Sequence, residues 1–543
     1  MGKEELLEAL VHVQTTTSVD SLYAHFNIIH DALSDIHRKR WRFLEDACSV
    51  VLQQTLALVF LDGKSGHNGA TDHQEVAMLT TKGIHLYLEF IEPLIHSTVS
   101  ISSTMDNEEE NACPRGVLVA ALLHLFAKTA GLLGSQPLES RLVADVLRCG
   151  VDIHVILATL RFREELKECR RLLLPSYETD SEFEWEEGEE DDDDDEEEET
   201  RELAMEDIQW IVNRVVNEWG MAKYRLFLQM SEHEHAFSSW SYQGIGNFVH
   251  ALLTDDQHKF NALPVLMSPF SFLFHVSAYA HYMICSENHQ DRIRGLDLLR
   301  AASNLCPQEK LTIFVEKGIE SMQDKPRSFR GQAASFRARE WLSPLIHVIA
   351  NAMVSFCDAK ERSAALEVLK TLIFKLVGDD RFRMLRSLIM KCPYANVSAI
   401  LVDFVRGDAI QAWSSSDTSN KYPFKTTAIC LLIQNVLSQT VERDLVSQAD
   451  LLASCMSLVR FLYIRDKGNE TGIRTESIIC GIWDVLMCID KRLQDATEAT
   501  ALYDTTETQL SSVERSRTHL MVLKAALDST LELLSSTVFC GKT

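Results

Sequence analysis

Apolar residues return at three- and four-residue steps along nearly the whole of this chain. That spacing suits one stripe of an α-helix and not the strict alternation of a half-buried strand. In residues 360–377, Ala365, Leu369, Leu372 and Leu376 fall on one helical face with Val368, Ile373 and Val377 beside them, while Lys360, Glu361, Arg362 and Lys370 fall on the other. Asp379-Asp380 then reads as the N-cap of a second helix with Phe382, Leu385, Leu388 and Ile389 inward, closed by Cys392-Pro393. A third helix, beginning near Tyr394, is expected to bury Val397, Leu401, Phe404 and Val405. Turn-formers are scarce: the 543 residues include 22 Gly and 11 Pro, where average usage would give roughly 38 and 27. Many short strands and tight hairpins are therefore excluded. The 46% of hydrophobic residues exclude a wholly disordered chain.

Helices of this length joined by short turns lead to an all-α fold, an irregular HEAT/armadillo-like helical-repeat solenoid with repeats of about 40–47 residues. A compact helical bundle is the competing architecture. The solenoid is preferred because single cores stop growing near about 250–300 residues. Three segments break the pattern: 62–75 and 103–115 read as polar loops, and 176–202 as an acidic disordered linker. The expected domains are thus N-terminal helical repeats over 1–175, the linker over 176–202, and C-terminal HEAT-like repeats over 203–543 that bind a partner. A milder break at 413–425 reads as a linker between repeats.

Charge is concentrated rather than spread. The formal net charge is −26, and residues 178–199 hold 17 Asp or Glu with no Lys or Arg, which leaves −9 for everything else. Such a run cannot bury enough apolar area to offset its ordering entropy and self-repulsion. A body of this sign repels phosphates, so no nucleic-acid partner is expected. Thirteen cysteines without a CxxC pair do not form a disulfide framework, and Cys48, Cys149, Cys285, Cys357, Cys430, Cys455 and Cys488 all lie in apolar stretches, where thiols act as small core hydrophobes. The N-terminal MGKEELLEAL carries no signal-peptide core, and Leu6 stands where a myristoylation pattern needs Ser or Thr. The longest apolar stretch, near 117–127, is broken by His124 and Lys128, short of a bilayer span. A reduced, soluble, cytoplasmic protein with no membrane partner is expected, with the nucleus as a second location.

A search for chemistry returns little. Asp62-Gly63-Lys64-Ser65 resembles the end of a phosphate loop, but Leu58 occupies the place of its first glycine. His233-Glu234-His235 lacks the i, i+4 spacing of helical zinc ligands, and Gly244-Ile245-Gly246 lacks the third glycine of a dinucleotide fingerprint. No catalytic, cofactor or metal site is therefore assigned, and the chain is expected not to be an enzyme. What stands out is basic. Arg381, Arg383, Arg386 and Lys391 share one short helix whose other face is apolar. Arg460, Arg465 and Lys467 follow at the end of a long apolar helix, where cations also complement the helix dipole. These read either as a solvated face or as a charged rim around a protein-binding groove.

Several stretches resemble the glomulin family, which includes the plant aberrant-root-formation proteins. ALPVLMSPFSFLFH (262–275) is similar to the family's Leu-Pro-x-x-x-Ser-Pro turn and aromatic-rich helix, and RIRGLDLLRAASN (292–304) to its Gly-Leu-x-Leu-Leu helix. KERSAALEVLKTLIFKL with RFRMLRSLIMKCPYANV (360–397) resembles the following repeat, and LLASCMSLVRFLYIRDKGNETGIRTE (451–476) the segment after that. The N-terminal third matches only in being helical, and the acidic insert departs from the family pattern. The resemblance implies a non-enzymatic HEAT-like protein that binds the RING subunit of cullin–RING ubiquitin ligases through its C-terminal repeats and blocks the ubiquitin-conjugating enzyme. It also implies immunophilin binding, associated with the animal member. Partner-binding residues expected within the matched stretches are Arg381, Arg383, Arg386, Lys391, Arg460, Arg465, Asp466 and Asn469. The alternative is a helical-repeat adaptor or chaperone scaffold for another client, with the acidic tract engaging basic partners such as histones.

Overall fold

Several helix starts follow local capping rules. Ser268 accepts a hydrogen bond from the Ser271 amide at 3.1 Å, and Pro269 sits at the first helical position. Asp358 and Asp444 cap in the same way, onto Lys360 and Ser447. The computed structural model describes residues 2–36, 39–64, 73–102, 108–129, 132, 136–173, 240–254, 268–316, 338–414, 422–502 and 507–538. Among them are eighteen α-helices. In chain order, α1 (Gly2–Thr15), α2 (Val19–Ser34), α3 (Arg40–Lys64), α4 (His73–Ser102), α5 (Glu108–Lys128), α6 (Gln136–Arg148) and α7 (Ile153–Leu173) precede the acidic segment. After it come α8 (Tyr242–Thr254), α9 (Pro269–Ile284) and α10 (His289–Leu305). The rest are α11 (Leu342–Ser355), α12 (Ala359–Lys375), α13 (Gly378–Lys391), α14 (Ala395–Ser414), α15 (Thr427–Thr440), α16 (Leu445–Arg465), α17 (Glu476–Leu502) and α18 (Glu507–Val538). A 3-10 turn, Tyr422–Lys425, precedes α15, and two three-residue strands, Phe314–Glu316 and Ala338–Glu340, pair as a short ribbon.

The chain divides into two units, Met1–Leu305 with Glu316–Arg339, and Cys306–Val315 with Glu340–Thr543. In the first, α1, α3 and α5 pack side by side in one row and α2, α4 and α6 in another, with α1 on α2, α3 on α4 and α5 on α6 joining the rows. Two rows of helices built from successive hairpins are the HEAT/armadillo-like arrangement. Beyond them α8 packs on α5 and α6, α9 on α7 and α8, and α10 on α8 and α9. Helices on both sides of the acidic segment thus share one unit. The segment itself lies outside the described residues.

The second unit repeats the scheme. Helices α14, α16 and α18 form one row, α13, α15 and α17 the other, and the hairpins α13–α14, α15–α16 and α17–α18 join them. The 3-10 turn is wedged against α13, α14 and α15. Both units are therefore helical-repeat stacks. Among the described residues α16 is the one helix long and apolar enough to cross a membrane by length and composition, and here Leu451, Leu452, Cys455, Leu458, Val459 and Leu462 are buried in the core.

Three local expectations change. Asp379 and Asp380 do not cap α13: Val377 holds that place, and Asp380 accepts a hydrogen bond from the Ile313 amide at 3.0 Å instead. The loop expected over 103–115 contains the start of α5, in which Ala112 and Cys113 are buried. Cys48, Cys149, Cys430 and Cys455 are buried as expected, but Cys285, Cys357 and Cys488 are exposed, each falling off the apolar stripe of its surroundings. Burial pushes the Cys48 and Cys455 thiols up to about 12, which makes them inert packing groups.

Buried ionisable groups also set how the first unit responds to acid. His275 on α9 is 4% exposed, and burial, with smaller contributions from Arg161 and His154, lowers its pKa from 6.5 to about 3. Below pH 6.5 the unfolded chain takes up a proton that the folded chain refuses, so stability falls as pH drops toward 3. The loss should approach about 1.4 kcal/mol per pH unit for this one group. His275→Phe should flatten the dependence between pH 6 and pH 4 in urea titrations, and an unchanged slope would assign the acid sensitivity elsewhere.

Candidate protein-binding surface

Helix α13 shows how the basic residues are sorted. Phe382, Leu385, Leu388 and Ile389 are buried, as the periodicity requires. Arg383, Arg386 and Lys391 are directed away from that core. Arg383 keeps 63% of its side chain in solvent and pairs loosely with Asp380 at 3.5 Å. Arg386 and Lys391 make no ion pair among the described residues.

Arg381 does not belong to that surface. Its side chain is 2% exposed, with Nη1 donating to Asp408 Oδ1 at 2.7 Å and Nη2 donating to Glu309 Oε1 at 3.2 Å and to the carbonyls of Phe374 and Leu376 at 3.2 and 2.9 Å. The guanidinium also lies 5.4 Å from the Phe374 ring centroid. Arg381 is an internal tie between α13, α14 and the loop before the ribbon. The planar fork of arginine satisfies several acceptors at once.

The end of α16 is sorted in the same fashion. Arg465 is exposed and Arg460 half-buried. Asp466 is 1% exposed and faces inward: its carboxylate accepts hydrogen bonds from the amides of Glu470 and Thr471, at 2.9 and 2.8 Å, and from the Thr471 hydroxyl at 2.6 Å. Those bonds organise the loop to α17. Asn469 is exposed in the left-handed region, φ 57°, and its Oδ1 accepts from the Arg474 amide at 2.9 Å. Arg474 in turn donates to the Tyr463 carbonyl at 2.6 Å and covers the Tyr463 ring at 4.4 Å. The loop is thus held in one shape and displays Lys467, Gly468, Asn469 and Glu470.

These parts meet at one end of the second unit's stack. The Arg381–Asp408 pair places the first turns of α13 beside the last turns of the antiparallel α14. The Trp413 and Phe461 rings are 6.0 Å apart, edge to face, which puts the end of α16 beside the end of α14. Lys425 lies 5.5 Å from the Trp413 ring centroid, and Phe424 packs on Phe382 at 5.4 Å. Arg383, Lys425, Arg460, Arg465 and the 466–475 loop therefore share this end, while Lys391 stands at the other end of α13.

Sequence reasoning missed four members of this surface. Ile410 and Ile464 are 43% and 57% exposed, and Trp413 and Phe461 are half-buried. The available signal was phase: on α16 the buried set is Leu451, Leu452, Cys455, Leu458, Val459 and Leu462, and Phe461 and Ile464 fall beside that stripe. Aromatic and aliphatic groups rimmed by arginine and lysine suit protein recognition.

The short motifs that resemble nucleotide sites fall inside helices. Asp62-Gly63-Lys64 is the last turn of α3, and Gly244 and Gly246 are buried where α8 packs. Ser65 and His233-Glu234-His235 lie outside the described residues. Among the described residues no three His, Cys, Asp or Glu side chains converge on a metal-sized site.

A family model described as "Uncharacterised protein family, YAP/Alf4/glomulin" matches residues 339–526, a stretch that holds the exposed basic residues, the aromatic pair and the ordered loop. The match supports a glomulin-family assignment. No curated protein gives a significant match. Among solved structures, a chain titled "Circular tandem repeat protein with novel repeat topology and enhanced subunit contact surfaces" aligns over 91% of this chain and 96% of its own, at 13% identity and a TM-score of 0.20.

Proposed function

We propose, with the glomulin-family assignment of residues 339–526 as premise, that this chain is a non-enzymatic binding protein. It docks on the RING subunit of a cullin–RING ubiquitin ligase and denies that surface to the ubiquitin-conjugating enzyme. The observation that carries the reading is the coincidence of the family match with the stack end where arginines and a lysine surround aromatic side chains. A helical stack has wide surfaces to offer, and covering a partner's face needs no chemistry. Immunophilin binding belongs to the same reading as a secondary association.

The direct experiment is a titration of the purified full chain against a purified RING subunit. Arg383→Glu with Arg386→Glu reverses two charges without touching the core of α13, and affinity should drop about tenfold, chiefly through slower association at low salt. Equal affinity would take α13 out of the interface. Deleting 178–199 should leave RING binding intact. Loss of binding on that deletion would favour the scaffold alternative, in which the acidic tract does the work.

A further inference from the structure

We propose that the apolar cluster at the ends of α14 and α16, namely Ile410, Trp413, Phe461 and Ile464, is the anchor of the docking surface, and that its occupant is an aliphatic or aromatic side chain standing among carboxylates on the partner. The inference rests on the RING reading and says which face does the binding and what chemistry it accepts. Ile464 is 57% exposed and Ile410 43%, although α16 is long and apolar and packs on α14, α15 and α18. The Trp413 and Phe461 rings, fixed edge to face at 6.0 Å, give the patch a rigid floor that loses little entropy on binding.

The sign of the occupant follows from the rim. Lys425 sits over Trp413 at 5.5 Å, and Arg460 and Arg465 border the patch on α16 with no ion pair among the described residues. Two of the nearby acids are engaged elsewhere. Asp466 is turned inward onto Glu470 and Thr471, and Asp408 holds Arg381. Glu470, in the loop, is the exposed carboxylate nearest in sequence. An apolar centre with a cationic rim selects a partner with the complementary layout: an apolar protrusion for the contact, carboxylates around it for steering and register.

The test uses the full chain and a purified RING subunit as probe. Ile464→Asp places a charge at the centre, and Arg465→Glu reverses the rim. Both positions are exposed, so the fold should survive, and circular dichroism with the thermal midpoint checks this. Ile464→Asp is expected to weaken binding about thirtyfold, the scale of a single hot-spot loss, and Arg465→Glu about fivefold. Met521→Asp, 64% exposed on α18, is the control and should stay within about twofold of wild type. If the wild-type chain binds and both Ile464→Asp and Arg465→Glu bind as tightly, the anchor is elsewhere and this inference is wrong while the RING reading stands. If the wild-type chain does not bind, the RING reading fails and takes the anchor with it. Should Ile464→Asp lose helicity, Arg465→Glu decides alone.

Discussion

Arg381→Met is expected to remove about 3–5 kcal/mol from the second unit, the usual cost of breaking one side of a buried ion pair. The cause is the carboxylate left behind. Asp408 is 1% exposed and receives a 2.7 Å hydrogen bond from Arg381, so removing the guanidinium breaks a buried ion pair between α13 and α14. The carbonyls of Phe374 and Leu376 lose a donor as well. Methionine fills much of the aliphatic volume, so the loss reports charge more than cavity. Hydrogen exchange across α13 and α14 measures the effect. Arg383→Met, two residues along the same helix and 63% exposed, is the comparison and should change protection by about 0.5 kcal/mol or less. Equal small losses at both positions would mean that Arg381 behaves as a surface cation.

Gly244→Val should be the most damaging single substitution in the first unit. A Cβ built at Gly244 would stand 2.0 Å from the Leu123 carbonyl oxygen and 2.7 Å from its carbon, both backbone atoms of α5. A flexible side chain could yield to that intrusion, but a helix backbone cannot, so α8 must move off α5. Trp240, whose Nε1 donates to the Gly116 carbonyl at 3.0 Å, and Asn247, which donates to the Phe126 carbonyl at 3.1 Å, would be dislodged with it. Overpacking of this kind costs about 3 kcal/mol or more when neighbours cannot relax. Thermal unfolding and soluble yield would show it. Gly407, with nothing within 4 Å of its notional Cβ, is the matched site where Gly→Ala should do no harm.

The helical stack was legible because its cause is local. Phe382, Leu385, Leu388 and Ile389 line the core where their spacing places them, and Val397, Leu401 and Val405 do the same on α14. Ser268-Pro269 marks the start of α9 by the chemistry of capping. The proposed binding surface was only partly legible, because burial of a polar residue is decided by partners distant in sequence. Arg381 lies at the edge of an apolar stripe, and only the packing of α14 and of the Glu309 loop turns it into a core residue. Asp466 has the sequence position of a rim acid and is a loop organiser, since its acceptors are filled by amides four and five residues ahead. The Trp413–Phe461–Ile464 cluster could not be read in advance, because it joins two helices whose adjacency no spacing in the sequence declares. Gly244 and Gly246 have the spacing of an incomplete nucleotide motif, but their use is the close approach of α8 to Leu123 on α5 and Met283 on α9.

A ubiquitin-transfer assay with a purified cullin–RING ligase, run at increasing ubiquitin-conjugating enzyme and fixed concentrations of the full chain, tests the proposed masking most directly. Steric exclusion predicts inhibition that is relieved as the conjugating enzyme rises, with full activity at saturation and an apparent KM that grows linearly with inhibitor. Binding to the RING subunit without any loss of transfer, or inhibition that no amount of conjugating enzyme relieves, would contradict it.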